Sequence, residues 1–492
     1  VIGKIENAYY NGCNGFGWQL ARIYQPSFTK TVIRRIYAML KRYLSVFILV
    51  VLAALMFGGV LAQDEPIEIT VGGLTAGPEL DWIDQIVKPA FEELMAAEGT
   101  NVTVTVIEAV GTAEEIRQQY VLDLGVGEGL DIMSFDGFWL PEFVEGELIQ
   151  PLTEVVGEDA LEWEGWDVTP EGLRNILGFG GELYGIARGT DARVIWYRSD
   201  LFEQAGLPAD WQPTSWEELL NAARTIKEAL PDVTPLQLNA GTAMGEATTM
   251  QGYLMALLGA GHHIYDFDEG KWIVSSPAIL DTLRLYETIY VTEELGDDRF
   301  QLTADGRDRS FEAFSNGEVA MLVEGDFFWR GPLAPGGNFP MENRDEVVRF
   351  AEMPAREPGA GFNGQDFVTI SGGTGYVLNP NTEHPQEAWQ LLTYMFSREA
   401  LEGLQEIQPR IRARTDVPVT GDETMSQIAE EVLPLTTIRP QLPEYNQVSA
   451  EAQLMTERVV SGEMTPEEAM AAYDEAVTAI VGEDNVIRIP VE

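Results

Sequence analysis

Cysteine is almost missing: the 492 residues hold one, Cys13. A disulfide framework and a Cys-ligated metal centre are therefore excluded. Histidine is nearly as scarce. His262, His263 and His384 have no ligand spacing, and the adjacent pair reads as a surface turn. Nor is there a phosphate-binding loop, and Asp297, Asp298, Asp305 and Asp308 do not follow a calcium-loop spacing, so no metal or cofactor is expected. Positive charge is also short, at 31 Lys and Arg against 79 Asp and Glu, a formal net of −48. A surface so acidic repels phosphate backbones, which excludes nucleic-acid binding and fits solubility or tolerance of salt.

Long apolar runs are absent but for one, Leu44 to Val60, which follows Met39-Leu-Lys-Arg and ends in Val60-Leu-Ala62. That order of charged, apolar and small residues reads as a secretory signal over 39–62, cleaved before Gln63; an uncleaved anchor is the alternative. Residues 1–38 read as an upstream extension. Seven basic residues and one acidic precede Gln63, so cleavage would take the net charge from −48 to −54.

What is present is enough apolar sequence, 45% of residues, for two domain-sized cores. Ile67 to Val71 and Val102 to Val106 alternate as strands, Asp131 to Asp136 makes a third, and helices lie between them. Pro89 predicts a kink in the first helix, and Thr112-Ala-Glu-Glu115 caps the second. This succession predicts an α/β fold, its ligands beyond the carboxyl ends of the strands, near Glu79, Asp136 and Trp139. Farther on, Pro213-Thr214-Ser-Trp-Glu217 predicts another capped helix, with Trp216 in its buried stripe. Phe311 to Gly325 reads as helix, Asn-Gly turn and strand, 330–365 as irregular, and Thr465-Pro-Glu as the start of the last helix.

One stretch breaks the ordinary pattern. In Gly185-Ile-Ala-Arg-Gly-Thr-Asp-Ala-Arg-Val-Ile-Trp-Tyr-Arg-Ser-Asp-Leu201, Asp191 and Arg193 press against an apolar run. Charge in that place reads as a crossing between lobes. The pair faces a ligand, or it is an ion pair that holds the crossing.

Four stretches carry a family resemblance: Leu183-Tyr-Gly-Ile-Ala through Trp196-Tyr-Arg-Ser-Asp-Leu-Phe with Thr214-Ser-Trp-Glu-Glu-Leu; Phe314-Ser-Asn-Gly-Glu-Val-Ala-Met; Gly372-Gly-Thr-Gly-Tyr with His384-Pro-Gln-Glu-Ala-Trp; and Ser461-Gly-Glu-Met-Thr-Pro-Glu-Glu-Ala. In this order the chain resembles the extracellular solute-binding proteins of ABC importers, in particular their sugar-binding members. The resemblance implies a two-lobed, type II periplasmic-binding-protein-like fold with a ligand cleft between the lobes. It implies crossings near Ile186 to Thr190, Val323 to Asp326 and Ile370 to Gly373. One lobe would hold 64–187 with 326–371, the other 188–325 with 372–492. By the same resemblance the cleft residues are Glu79, Asp136, Trp139, Asp191 and Arg193, with a core place in the short helix as the alternative for Trp139. Phe327 stands where the family often has tryptophan, with Trp329 close by; Thr374 and then Tyr376 follow the second Gly-Gly where tryptophan is usual; and Arg410 resembles a late cleft arginine.

The function so implied is an extracytoplasmic carbohydrate receptor, a monomer without catalytic residues, that hands its solute to an ABC permease. Charged groups that bond paired hydroxyls, and an aromatic face for the ring, are what a sugar needs. A secreted glycoside hydrolase is the alternative. It requires two carboxylates at a fixed separation, and no such compact pair stands out in the sequence.

Overall fold

The computed structural model describes residues 66–74 and 77–491, together with Arg35 and Met39. The expected extension and signal over 1–62 therefore lie, but for those two residues, outside the described residues. Pro66 to Glu492 is a unit of its own, and it contains two α/β lobes.

The first lobe is built on a five-stranded sheet in the order Val102–Glu108, Ile67–Leu74, Ile132–Asp136, Gly373–Leu378, Gly185–Thr190. The first three strands are parallel and the last two are antiparallel to their neighbours. One face buries Ile69, Val71 and Val104 against Trp82, Phe91 and Leu392; the other buries Met133 and Phe135 against Trp139 and Phe143. The alternation read from the sequence is this two-faced burial. Pro89 is the second residue of the helix Lys88–Glu98. The turn before it, Ile83–Val87, widens into a π-type turn, and the Lys88 amide donates to the Ile83 carbonyl. That extra residue makes room where proline can neither donate nor tolerate the carbonyl four residues back.

The second lobe carries a four-stranded sheet, Val348–Ala351, Arg193–Arg198, Val319–Gly325, Thr234–Gln237, and a smaller one, Met353–Pro354, Phe367–Ser371, Thr436–Ile438. Val348–Ala351 thus gives regular structure to a stretch expected to be irregular. Ile195 and Tyr197 face a core with Tyr253 and Trp216, while Val194 and Trp196 face another with Phe314 and Phe328. The capping box at Thr112 forms as expected, and the helix start expected at Thr465 proves to be a second one, closed by Glu468. The third shifts by one residue: Ser215 accepts from the Glu218 amide, and Glu218 accepts from Thr214.

The division of the chain between lobes departs from expectation in its second half. After Gly325 the chain does not cross, because Phe328, Trp329 and Leu333 pack on the back of the sheet they have just left. Trp329 stacks on Trp196 with ring centroids 5.6 Å apart. Residues 326–371 therefore belong to the second lobe. Gly373–Leu378 instead joins the first-lobe sheet, and helices Pro385–Met395 and Arg398–Ile407 follow it there, with Trp82 donating to the Ala400 carbonyl at 2.9 Å. The observed crossings are Asp191–Ala192, Gly372, and a third over 408–422, where Ile411 packs in the second lobe and Ala413 in the first. Leu392→Ala should cost about 2–5 kcal/mol. Hydrogen exchange should then lose protection in Ile67–Leu74 and keep it in Val319–Gly325, the reverse of what placing 372–492 with the second lobe demands.

His263 is also not at the surface. It is 2% exposed, its ring packs near Phe267 and Phe362, and Nε2 lies 3.1 Å from the Ile438 carbonyl oxygen. Burial pushes its pKa down to about 4, from an ordinary 6.5. The folded state then binds fewer protons than the unfolded chain between those values, so the stability His263 contributes is complete above pH 6.5 and is lost as pH falls through 4. The loss is about 3 kcal/mol. Urea titrations from pH 7 to pH 4 should show that slope in the native protein and a flatter one in His263→Gln.

Candidate functional site

Buried charge collects where the lobes meet. At the start of the Pro78–Trp82 helix, Glu79 pairs with Arg188, which projects from Gly185–Thr190, and lies 3.7 Å from Arg410 on the third crossing. Thr374, on the neighbouring strand, accepts from Arg188 at 2.6 Å and from Arg410 at 3.2 Å. Burial would raise the Glu79 pKa, but the surrounding guanidinium groups of Arg188, Arg410 and Arg412 outweigh it and hold the carboxyl below its ordinary range.

Asp191 and Arg193 form a second group. They pair with each other, the Gly372 amide donates to Asp191 Oδ1 at 2.8 Å, and Arg193 donates to the Ile370 carbonyl at 3.0 Å. The Ser371 hydroxyl donates to the Asp191 carbonyl at 2.6 Å. Two crossings are thereby tied side by side. Asp326 joins them from the end of Val319–Gly325: its amide donates to the Ala192 carbonyl at 2.9 Å, and its carboxylate accepts from Arg330 at the same distance.

A third group spans the seam directly. Arg439, just past Thr436–Ile438 in the second lobe, donates to Asp136 of the first lobe at 2.8 Å and to Glu246 at 2.7 Å. Its guanidinium lies 4.2 Å from the centre of the Phe138 ring, a cation–π geometry. Enclosure raises the Asp136 pKa, with Arg439 opposing and Asp191 and Glu246 adding to the rise. Gln441 reaches the Asn175 carbonyl at 3.0 Å, and Asn446 reaches Glu142 at the same distance. Between these contacts Gly137, Phe138, Ile176, Gly372, Gly373 and Arg439 line a cavity of about 40 Å³. Small-molecule sites commonly have roughly 300–1,000 Å³, so the lobes are shut on each other. A depression of about 430 Å³ lined by Lys227, Tyr290 and Asp297 lies within the second lobe and shares no residue with the seam.

Of the residues singled out from sequence, Glu79, Asp136, Asp191, Arg193 and Arg410 therefore come together at the seam. The aromatic ones do not. Trp139 is core, edge-on to Phe135 at 5.3 Å and to Tyr120 at 6.2 Å. Trp329 is core in the second lobe, with its indole donating to Asp422. Tyr376 is fully buried and packs near Phe396, and Phe327 is half-buried beside Arg307. The ring that does line the seam is Phe138, one residue before the tryptophan that looked more prominent. Arg188 lay inside the stretch that first drew notice. Arg412, Glu246 and Arg439 had no signal, since Arg439 meets partners 303 and 193 residues away.

A family model described as bacterial extracellular solute-binding protein matches residues 76–402. A binding protein of Brucella abortus strain 2308 is 25% identical over 63% of this chain and 69% of its own length. The mannitol-binding protein of Pseudomonas aeruginosa is 22% identical over 73% of this chain and 83% of its own. Among solved structures, an ABC transporter solute-binding protein of Thermotoga lettingae bound with α-D-tagatose aligns with a TM-score of 0.69 and 26% identity, over 85% of this chain and 100% of that one.

Removing Asp191 leaves the Arg193 guanidinium buried without its partner, a loss of about 3–5 kcal/mol. Asp191→Ala should therefore lower ligand-free stability in urea by that amount. An unchanged midpoint would show that Asp191 faces a ligand rather than holding the crossings.

Proposed function

The chain belongs to the bacterial extracellular solute-binding protein family, and on that premise we propose that it captures a carbohydrate between its lobes and presents the closed form to an ABC permease. The observation that carries this reading is the seam itself, where both lobes contribute buried or half-buried polar side chains to one surface. Asp136 and Phe138 come from the first lobe, Glu246 and Arg439 from the second. Such groups suit a hydroxyl-rich ligand: carboxylates accept from hydroxyls, guanidinium groups donate to ring and hydroxyl oxygens, and Phe138 offers a ring face. Glu79, Arg188, Thr374 and Arg410 would serve the deeper end of the solute. Asp191 and Arg193 would shape the hinge.

A ligand closes such a protein only by binding the closed state better than the open one, and contacts from both lobes supply that difference. The protein would work outside the cytoplasmic membrane as a monomer. Among the described residues no helix is long and apolar enough to cross a membrane. Hydrolysis of glycosides is the weaker reading. The family matched and the relatives found are solute-binding proteins.

Titration calorimetry against neutral sugars, sugar acids and polyols should find a solute bound near 1 µM, about −8 kcal/mol. Small-angle scattering should show a smaller radius of gyration with that solute present. A panel in which nothing binds and nothing compacts, or release of products from oligosaccharides by the purified chain, would overturn the receptor reading.

A further inference from the structure

The deep end of the seam, around Glu79, Asp191 and Asp326, carries more positive charge than the carboxylates there neutralise. Arg188, Arg193, Arg330, Arg410 and Arg412 are all buried, and the acids among them are Glu79, Asp191 and Asp326. Asp191 is taken by Arg193, Asp326 by Arg330, and Glu79 is shared by Arg188 and Arg410. Arg412 has only neutral partners, the Gln405 side chain and the Gln408 carbonyl, each at 2.9 Å. Two buried guanidinium charges are left without a counterion. In a chain of net charge −48 this is not a shortage of acids. Arg439 makes the contrast: equally enclosed, it has both Asp136 and Glu246, and they keep its pKa above the ordinary value. Arg410 is driven well below its ordinary value by burial and by Arg188 and Arg330, and Arg412 is lowered to about 9.

Unmet hydrogen-bonding capacity lies in the same place. Arg188 Nε, Arg410 Nε and Arg412 Nη1 are buried donors without a partner. Burying a charge without a counterion opposes folding, and a donor left unmet adds to that cost. Three arginines on the first-lobe side, facing Arg330 from the second lobe, are suited to an oxyanion, which accepts several N–H bonds at once and supplies the missing charge.

We infer that the solute is an acidic sugar whose oxyanion seats on Arg188, Arg410 and Arg412, with its hydroxyl groups directed toward Asp136 and Phe138. The inference rests on the receptor reading above and narrows it to a ligand class. A carboxylate, as in a uronic or aldonic acid, and a phosphate ester offer the same oxyanion chemistry. A guanidinium fork grips either one through two oxygens, and calorimetry tells them apart.

Calorimetry on the intact protein with glucuronate, galacturonate, gluconate and glucose 6-phosphate, against glucose, galactose and mannitol, separates the possibilities. At least one acid should bind about 100-fold more tightly than its neutral counterpart, as two charged hydrogen bonds allow. Arg410→Gln and Arg412→Gln should each weaken that acid about tenfold or more. Because each removes a surplus cation, the ligand-free melting temperature of both variants should hold or rise, which a merely structural arginine would not permit. Binding of the phosphate ester alone would retain the oxyanion site and transfer it to a phosphoryl group. A neutral sugar bound as tightly as its acid overturns the inference and leaves the receptor standing. So does a fall in melting temperature in Arg412→Gln with acid affinity unchanged. If no compound binds or compacts the protein, the receptor reading falls as well.

Discussion

The carboxylate of Asp191 is the constraint on which the two-lobed arrangement depends. It sits where the chain first leaves the first lobe, and it accepts from Arg193 on the departing strand and from Gly372 on the returning one. Both crossings are thus held at one point. Burial opposes the charge, but Arg193 and the Gly372 amide more than compensate and keep the pKa low. Gly372 borders this cluster closely: a Cβ there would be in van der Waals contact with Asp191, Arg193 and Arg439 atoms at 3.4–3.5 Å. On the receptor reading proposed above, a pivot of this kind would let whole lobes move while the strands entering them keep their register.

The sequence was most legible where structure is decided locally. Thr112 with Glu115 and Thr465 with Glu468 announce helix starts because both partners lie within one turn. Alternation in Val102 to Val106 is a property of five residues. The order of the lobes was not legible in this way. Phe327-Phe-Trp-Arg330 after a glycine looks like a strand end opening toward a cleft, yet its burial is settled by Trp196, 133 positions earlier in the chain than Trp329. The same limit governs the site. The residues at the first crossing stood out, since charge beside an apolar run is locally odd. Arg439 lies in an unremarkable Ile-Arg-Pro and acquires its role only from Asp136 and Glu246.

Phe138 and Trp139 show how fine the distinction becomes at the site. Both follow a strand that ends in Asp136, and their backbone forms a single turn, Gly137–Trp139. Successive residues of such a turn point in different directions, so one ring enters the core beside Phe135 and the other meets Arg439. Tryptophan, the larger apolar body, fills the core, where it buries more area. The more prominent aromatic in the sequence was therefore the wrong one to place in the cleft.

Closure by a ligand, as proposed above, would limit how strongly the lobes can hold each other without one. Their direct links away from the crossings are mostly polar: Asp136 with Arg439, Asn446 with Glu142, and Gln441 with the Asn175 carbonyl, beside one ring, Phe138, that meets Arg439 and Tyr445. Arg439 is buried and the Asp136 side chain keeps 28% of its surface exposed, so taking the pair out of water offsets much of its attraction. An apolar seam of the same area would shut the lobes permanently, and a ligand could then shift nothing. By contrast, the deeper groups around Glu79 and Arg410 are buried and incompletely partnered, so a ligand that meets them gains most where the protein alone gains least. A weak latch at the rim and unmet charge at the hinge together make the closed state sensitive to what lies between the lobes.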